Sequence, residues 1–206
     1  MTGHAFFPTL IHQSDLRGHK DWADLHADLE ATSYMLAEDD TVGQAWCEAN
    51  GYDGYTSYSS LNDLPQRATC FAELARLLKK EADAFAETLQ WDMTGRKLAL
   101  DNIWVNILAP GGGHTGHIHP HSVISGTYYV RIPRGASALR FEDPRLPFMM
   151  AAPMPREDCD RPFRRFVTIA PEPGDLLMWE SWLRHEVSVN RAEEERISIS
   201  FNFRID

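Results

Sequence analysis

The chain has 206 residues, of which 43% are apolar and 24% charged, a composition typical of one globular domain and unlike that of a disordered chain. Its formal net charge of −10 disfavours nucleic acid as a partner, because binding to phosphates needs clustered lysine and arginine. Three widely spaced cysteines do not form a disulfide framework, and no segment resembles a signal peptide or a membrane span, so we expect a cytoplasmic protein without a membrane partner.

The first half of the chain has the apolar spacing of helices. A short apolar stretch, 5–11, predicts an entry strand, and segments 21–36 and 66–91 then repeat apolar residues every three or four positions. Between them, the glycine- and tyrosine-rich segment 50–60 predicts a loop. We therefore expect residues 1–95 to form an entry strand and a helical buttress.

After residue 96 the apolar period changes from that of a helix to that of a strand. Short alternating segments follow one another with no helix between them, which predicts an antiparallel sandwich or barrel. These segments are 100–108, 123–132, 137–141, 166–170, 175–179, 185–189 and 196–205. We expect an α+β, mainly β protein of one domain, 1–206, in which residues 96–206 form a jelly-roll core.

One connection, 143–165, is unusually long. Its prolines exclude a central strand, and loops of this length in compact domains are often lids or binding loops. The flexible apolar side chains of Met149, Met150 and Met154 suit such a role. The sequence therefore predicts a lid or an interface in this connection.

The segment 110–122 places four of the nine histidines behind three glycines. Positions i and i+2 of an extended chain share a face, so His117 and His119 point the same way and form a chelating pair. Pro120 favours an extended conformation at His119, which keeps the two histidines on the same face. A catalytic metal needs a third protein ligand, and His185 is the only histidine further along the chain. A solvated histidine-rich loop is the alternative interpretation.

The last predicted strand alternates sharply between apolar and polar residues. Its polar row consists of Arg196, Ser198, Ser200 and Asn202. On an inner sheet face this row predicts a polar cavity, because an unpaired buried cation is costly. The alternative is an edge strand whose polar row faces water.

Six motifs in this half resemble, in the same order, those of the 2-oxoglutarate/Fe(II)-dependent oxygenases of the double-stranded β-helix fold, especially those of one bacterial branch. They are HIHP at 117–120, SGTYYV at 125–130, FEDPR at 141–145, PGDLLMW at 173–179, SWLRHEV at 181–187 and RISISFN at 196–202. The resemblance covers about residues 104–203, and the helical half matches only loosely, as a set of bracing helices.

This resemblance implies a hydroxylase-type oxygenase that uses Fe(II), 2-oxoglutarate and dioxygen on a small molecule or a peptide. It makes His117 and His185 iron ligands. It also makes Arg196 the partner of the distal carboxylate of 2-oxoglutarate, assisted by Ser198 and Tyr129. A guanidinium binds a carboxylate bidentately, and neutral imidazoles hold Fe(II) while leaving sites open.

The chain departs from most of the superfamily at the third ligand. Most members have Asp or Glu two residues after the first histidine, whereas here that residue is His119. Either His119 completes a three-histidine site, or an acid from elsewhere does, with Asp143 or Glu142 as candidates. A zinc hydrolase, a cupin-type dioxygenase and a non-catalytic protein that binds metal or oxoacid are the alternative functions.

Three residues are candidate substrate contacts. Trp104 and Asn106 share one face of segment 100–108, and Arg140 lies in segment 137–141. Their alternative roles are structural: a tryptophan in the core, and an arginine on the surface. The remaining histidines of the 110–122 segment are expected to support the site or face solvent, and the three glycines to form a turn rather than a phosphate loop.

Overall fold

The computed structural model describes residues 3–145, 150–151 and 153–206, so Met149 of the predicted lid lies outside the described residues. The first elements in chain order are β1 (Ile11–Asp15), α1 (Trp22–Asp39), α2 (Thr41–Ala49), β2 (Gly54–Thr56), α3 (Leu64–Arg67) and α4 (Thr69–Thr88). The strands that follow are β3 (Leu98–Leu108), β4 (His114–His117), β5 (Ile124–Arg131), β6 (Leu139–Glu142), β7 (Phe166–Ile169), β8 (Asp175–Glu180), β9 (His185–Val187) and β10 (Arg196–Ile205).

These strands form two antiparallel sheets. The larger sheet has the order β1-β8-β5-β10-β3-β2, and the smaller one has the order β4-β9-β6-β7. Neighbours in each sheet are mostly distant in sequence, as expected when a chain winds back and forth between two sheets. The predicted jelly roll preceded by helices is confirmed.

The larger sheet separates two hydrophobic cores. On one face, Leu29 of α1 and Leu74 and Leu78 of α4 are fully buried in the core that also contains Ile197 and Phe201 of β10. Each such side chain contributes about 1.5–3 kcal/mol by leaving water. The buttressing role predicted for the helices is therefore confirmed. Among the described residues, no helix combines the length and the apolar character that crossing a membrane requires.

The other face of the larger sheet packs against the smaller sheet. Here Tyr129 and Trp179 belong to the same buried cluster as Phe141 and Val187 of the smaller sheet. The polar row of β10 points to this side, since its apolar row lies in the core with the helices. The space between the two sheets therefore holds the candidate site.

Three parts of the helical half differ from the sequence prediction. The entry strand is Ile11–Asp15 rather than 5–11, because the edge of β8 pairs with this more polar segment, from Ile11 opposite Trp179 to Asp15 opposite Asp175. The predicted loop 50–60 contains the three-residue strand β2, which pairs with the end of β3. Helix α2 also lies outside the two predicted helical segments, and the short helix α3 begins before the second of them.

The glycine segment forms the predicted turn between β3 and β4. Gly111 has a positive φ of 89°, and its N–H donates to the carbonyl of Asn190 at 2.8 Å. A Cβ on Gly112 would lie 2.9 Å from the carbonyl oxygen of Asp53, closer than a side chain tolerates. The turn thus lets the histidine strand β4 run beside β9.

Candidate metal centre

Three histidines meet where β4 and β9 pair. His117 is directly opposite His185 in the register of the two strands, and their ring centroids are 4.4 Å apart. His119 follows two residues after His117, and its backbone N–H donates to the carbonyl of Ser181 at 3.0 Å. The ligand atoms of the three imidazoles all lie within 4.8 Å of one another. The structure therefore brings together the three residues that the sequence proposed as ligands.

Hydrogen bonds set the tautomers of two of these rings. Nδ1 of His117 donates to the carbonyl of Thr115 at 2.7 Å, and Nδ1 of His185 donates to the carbonyl of Leu183 at 2.9 Å. A carbonyl only accepts, so in each neutral ring the lone pair is on Nε2. Nε2 of His119 is buried and has no hydrogen-bond partner. The set fits a metal ion, because three imidazole nitrogens are left without other partners.

Burial keeps the imidazoles neutral. It lowers the pKa of His185 to about 3, although the hydrogen bond to Leu183 acts in the opposite direction. It also lowers the pKa of His119 to about 4, and the neighbouring His117 adds to this effect. Near neutral pH these two rings therefore carry lone pairs rather than charges, as metal binding requires.

His119 is held differently from the other two histidines. The neighbouring side chain of Asn202 raises the pKa of His119, against the larger effect of burial. Asn202 is itself fixed, since its Oδ1 accepts from the Ser125 hydroxyl at 2.7 Å and its Nδ2 donates to the side-chain oxygen Oδ1 of Asn102 at 2.7 Å. The ring of Trp104 stacks beside His119 with 5.9 Å between centroids. The unusual third histidine thus has a dedicated side-chain support.

The structure places the alternative acids elsewhere. Asp143 pairs with Arg145 at 2.6 Å, and Glu142 pairs with Arg184 at 2.8 Å. Within the described ranges, the cluster of potential ligands contains histidines alone. This placement supports His119 rather than either acid as the third ligand.

Arg196 is buried between the sheets without an acidic partner. Only 1% of its surface is exposed, and its guanidinium donates to the Ser198 hydroxyl at 3.3 Å. The guanidinium carbon lies 5.1 Å from the ring centroid of Tyr129. In the part of the chain that the structure describes, no carboxylate forms an ion pair with Arg196. Burial lowers the pKa of Arg196, yet a guanidinium stays protonated in proteins.

Two buried polar atoms, one on Arg196 and one on Tyr129, have no hydrogen-bond partner. The Nε of Arg196 and the Tyr129 hydroxyl are both buried and make no hydrogen bond of ordinary length. Burial raises the pKa of Tyr129 to about 12, and the positive charge of Arg196 acts in the opposite direction. A neutral phenol and a charged guanidinium are both donors, and unsatisfied buried donors are costly. Together they fit an anionic oxygen ligand such as a carboxylate.

A cavity of about 360 Å³ connects with the histidine cluster. Of the proposed substrate contacts, Trp104 and Asn106 line it. Arg140 is not among the lining residues, because it pairs with Glu186 at 3.2 Å and its guanidinium lies 3.9 Å above the ring of Phe166.

The two further histidines of the segment have different environments. His121 is exposed, as expected for a residue that faces solvent. His114 lines the cavity, and its Nε2 lies 2.9 Å from the hydroxyl of Tyr52. Tyr52 was not predicted as a site residue. It lies in the segment interpreted as a loop, and no local pattern distinguishes it from the other tyrosines there.

The third ligand can be tested by substitution. We expect His119→Ala to weaken metal binding at least ten-fold, because one of three neutral donors is lost. We expect His119→Asp to retain metal binding, because a carboxylate oxygen at this position can replace the imidazole nitrogen as the third donor. Metal affinity is measured by competition with a chelator. Wild-type affinity in His119→Ala would instead assign the third position to another group.

The fold is that of a double-stranded β-helix protein, and it brings together three histidines that could hold a metal ion. Residues 102–202 match the model of a family described as "Putative 2OG-Fe(II) oxygenase". No curated protein matches the chain. Over this region, just under half of the chain, the protein is similar to the 2-oxoglutarate/Fe(II)-dependent oxygenases.

Solved structures share this fold at low sequence identity. A prolyl-4-hydroxylase of Pseudomonas putida is 17% identical, with a TM-score of 0.57 over 95% of this chain and 88% of that chain. AviO1 from Streptomyces viridochromogenes is 13% identical, with a TM-score of 0.61 over 95% and 90%. The epimerase SnoN, in complex with Fe3+, α-ketoglutarate and nogalamycin RO, is 14% identical, with a TM-score of 0.64 over 95% and 79%.

Proposed function

We propose that the protein is an oxygenase that uses Fe(II), 2-oxoglutarate and dioxygen. The observation that carries this proposal is a fully buried Arg196 that has no acidic partner within the described residues and lies between the same two sheets as three converging imidazoles. A hydrolytic zinc site needs the imidazoles alone, whereas a dicarboxylic oxoacid would offset the cost of the buried cation. The match of residues 102–202 to the oxygenase family supports the same conclusion.

Each group has a role in this proposal. The Nε2 atoms of His117, His119 and His185 would hold the iron. Arg196 would bind the distal carboxylate through charge-assisted hydrogen bonds, with Ser198 and Tyr129 as further partners.

When bound, iron and oxoacid supply the chemistry that activates dioxygen. The protein orients these groups and excludes water. Trp179 and Phe141 contribute to this, since their rings pack against His185 with centroids 4.6 and 6.2 Å away.

We propose an uncharged small molecule or peptide segment as the substrate. The cavity wall beyond the histidines offers hydroxyl, amide and aromatic groups, among them Asn106, Thr127, Trp104 and Tyr58. Asp101 is the sole charged residue among the described lining residues, and Arg204 pairs with it at 2.6 Å. A charged substrate would therefore find no free counter-charge in this wall.

Anaerobic titration tests the proposed function. Metal-free protein is loaded with Fe(II) and then titrated with 2-oxoglutarate. We expect stoichiometric binding and a charge-transfer absorption band in the visible that appears only when both are present, because the keto acid then shares the metal with the imidazoles. Tight binding of Zn(II) with no affinity for 2-oxoglutarate would favour the hydrolase alternative. Binding of both without consumption of dioxygen would favour a non-catalytic protein.

A further inference from the structure

A tyrosine of the helical half reaches the cavity near Arg196. Tyr52 lies between α2 and β2, outside the region matched by the oxygenase family. Its backbone N–H donates to the carbonyl of Cys47 at 2.9 Å, which fixes the chain as it leaves α2. Its hydroxyl is 2.9 Å from Nε2 of His114, and the two ring centroids are 5.5 Å apart. The pair therefore has a defined geometry inside the cavity.

Tyr52 packs against the buried cluster that contains Tyr129 and Leu108, and Leu108 is directly opposite Arg196 in the register of β3 and β10. Burial raises the pKa of Tyr52, and the charge of Arg196 opposes this rise. Burial lowers the pKa of His114 to about 4, and Arg196 adds to that effect, followed by His117 and His119. The pair lies in the field of the same unpartnered cation that the oxoacid is proposed to meet.

The position of His114 relates the pair to the histidine cluster. His114 is opposite Val187 in the register of β4 and β9, as His117 is opposite His185. The rings of His114 and His117 are in edge contact, with 6.4 Å between their centroids. The Tyr52–His114 pair therefore adjoins both the metal cluster and Arg196, and an oxoacid that joins these two features would run beside it.

The Tyr52–His114 pair has one hydrogen-bond donor that their mutual contact does not use. A phenol offers one hydrogen, and so does a neutral imidazole, but the contact between the two uses only one of them. When Nε2 of His114 donates to the Tyr52 oxygen, the phenol hydrogen is free to turn elsewhere. An anion beside Arg196 selects this arrangement, because a hydrogen bond to a charged acceptor is stronger than one to a neutral acceptor.

We infer that the Tyr52 hydroxyl, positioned by His114, donates to the distal carboxylate of the oxoacid and selects dicarboxylic over monocarboxylic oxoacids. This inference rests on the proposed function. It gives the helical half a direct part in oxoacid binding, in addition to Arg196, Ser198 and Tyr129 of the strands.

Anaerobic calorimetry on iron-loaded protein tests this inference with two oxoacids. 2-Oxoglutarate carries the distal carboxylate, and 2-oxobutanoate has the same keto-acid head without it. We expect Tyr52→Phe to weaken 2-oxoglutarate binding about ten- to a hundred-fold, the loss of one hydrogen bond to a charged group. Binding of 2-oxobutanoate and of the metal should stay unchanged, because neither involves the hydroxyl.

Two further variants separate this role from a structural one. Tyr34→Phe is the matched control, since it removes a hydroxyl that is bound to Glu195 and does not line the cavity, and it should leave both affinities unchanged. If His114 acts through Tyr52, His114→Leu should weaken 2-oxoglutarate binding in the wild type and have little effect in Tyr52→Phe. If Tyr52→Phe bound 2-oxoglutarate as tightly as the wild type, or lost the same factor in affinity for both oxoacids, the inference would be wrong and the proposed function would still stand. Failure of the wild type to bind 2-oxoglutarate would overturn the proposed function as well.

Discussion

His117→Ala and His185→Ala are each expected to abolish high-affinity metal binding. Removing an outer hydrogen-bond partner of a metal ligand typically costs about 10–100-fold in affinity, so removing a ligand should cost more than about a hundred-fold. His185 is buried at 4% exposure beside Trp179, so His185→Ala also leaves a cavity in the core. His117 is only half-buried, and its removal should affect folding less.

Metal content after anaerobic loading checks this expectation, with circular dichroism and thermal unfolding to show that each variant folds. His121→Ala is the matched control, because His121 belongs to the same histidine-rich segment but is exposed. The control should load as the wild type does. Full metal occupancy in His117→Ala, the variant with the milder structural effect, would remove that residue from the ligand set.

The strands were predictable because their local pattern is strong. In β10, Ile197, Ile199 and Phe201 alternate with smaller polar residues, and burial on one sheet face is the physical cause of such alternation. The order of the strands in the two sheets had no comparable local signal. It depends on which distant segments pair, as in the pairing of β10 with both β3 and β5.

The helical half shows why short elements escape sequence analysis. β1 has the sequence IHQSD, which is neither clearly alternating nor clearly apolar, and its pairing with the edge of β8 makes it a strand. β2 has only three residues, fewer than are needed to establish a period. Elements of this kind are fixed by their tertiary partners rather than by their own composition.

Those parts of the candidate site whose residues are close together in sequence could be predicted from spacing, and those that unite distant segments could not. The spacing of His117 and His119 on an extended chain places them on one face, and the structure finds them in one cluster. Their association with His185 was predicted because it is the only later histidine and because of the resemblance, whereas that of Arg196 with Tyr129 was predicted from the resemblance alone. Tyr52 was not predicted at all, because only folding brings the end of α2 next to β4.

Arg196→Met is expected to abolish strong 2-oxoglutarate binding while metal binding and folding persist. A guanidinium that grips a carboxylate through two charge-assisted hydrogen bonds gains roughly 1.5–3 kcal/mol from each, so the loss should exceed about a hundred-fold in affinity. The free energy of unfolding should be unchanged or higher, since a buried cation without an acidic partner is replaced by an apolar side chain of similar length. Anaerobic calorimetry and thermal unfolding measure the two effects.

Arg196→Lys is the informative companion to this variant. It keeps the charge but lacks the planar fork, so it should recover only part of the lost affinity. A purely structural arginine would give a different result, in which both variants lower the melting temperature and neither changes oxoacid affinity selectively. If Arg196→Met bound 2-oxoglutarate as the wild type does, the buried cation would have another purpose. The three imidazoles alone would then favour a zinc enzyme as much as an oxygenase.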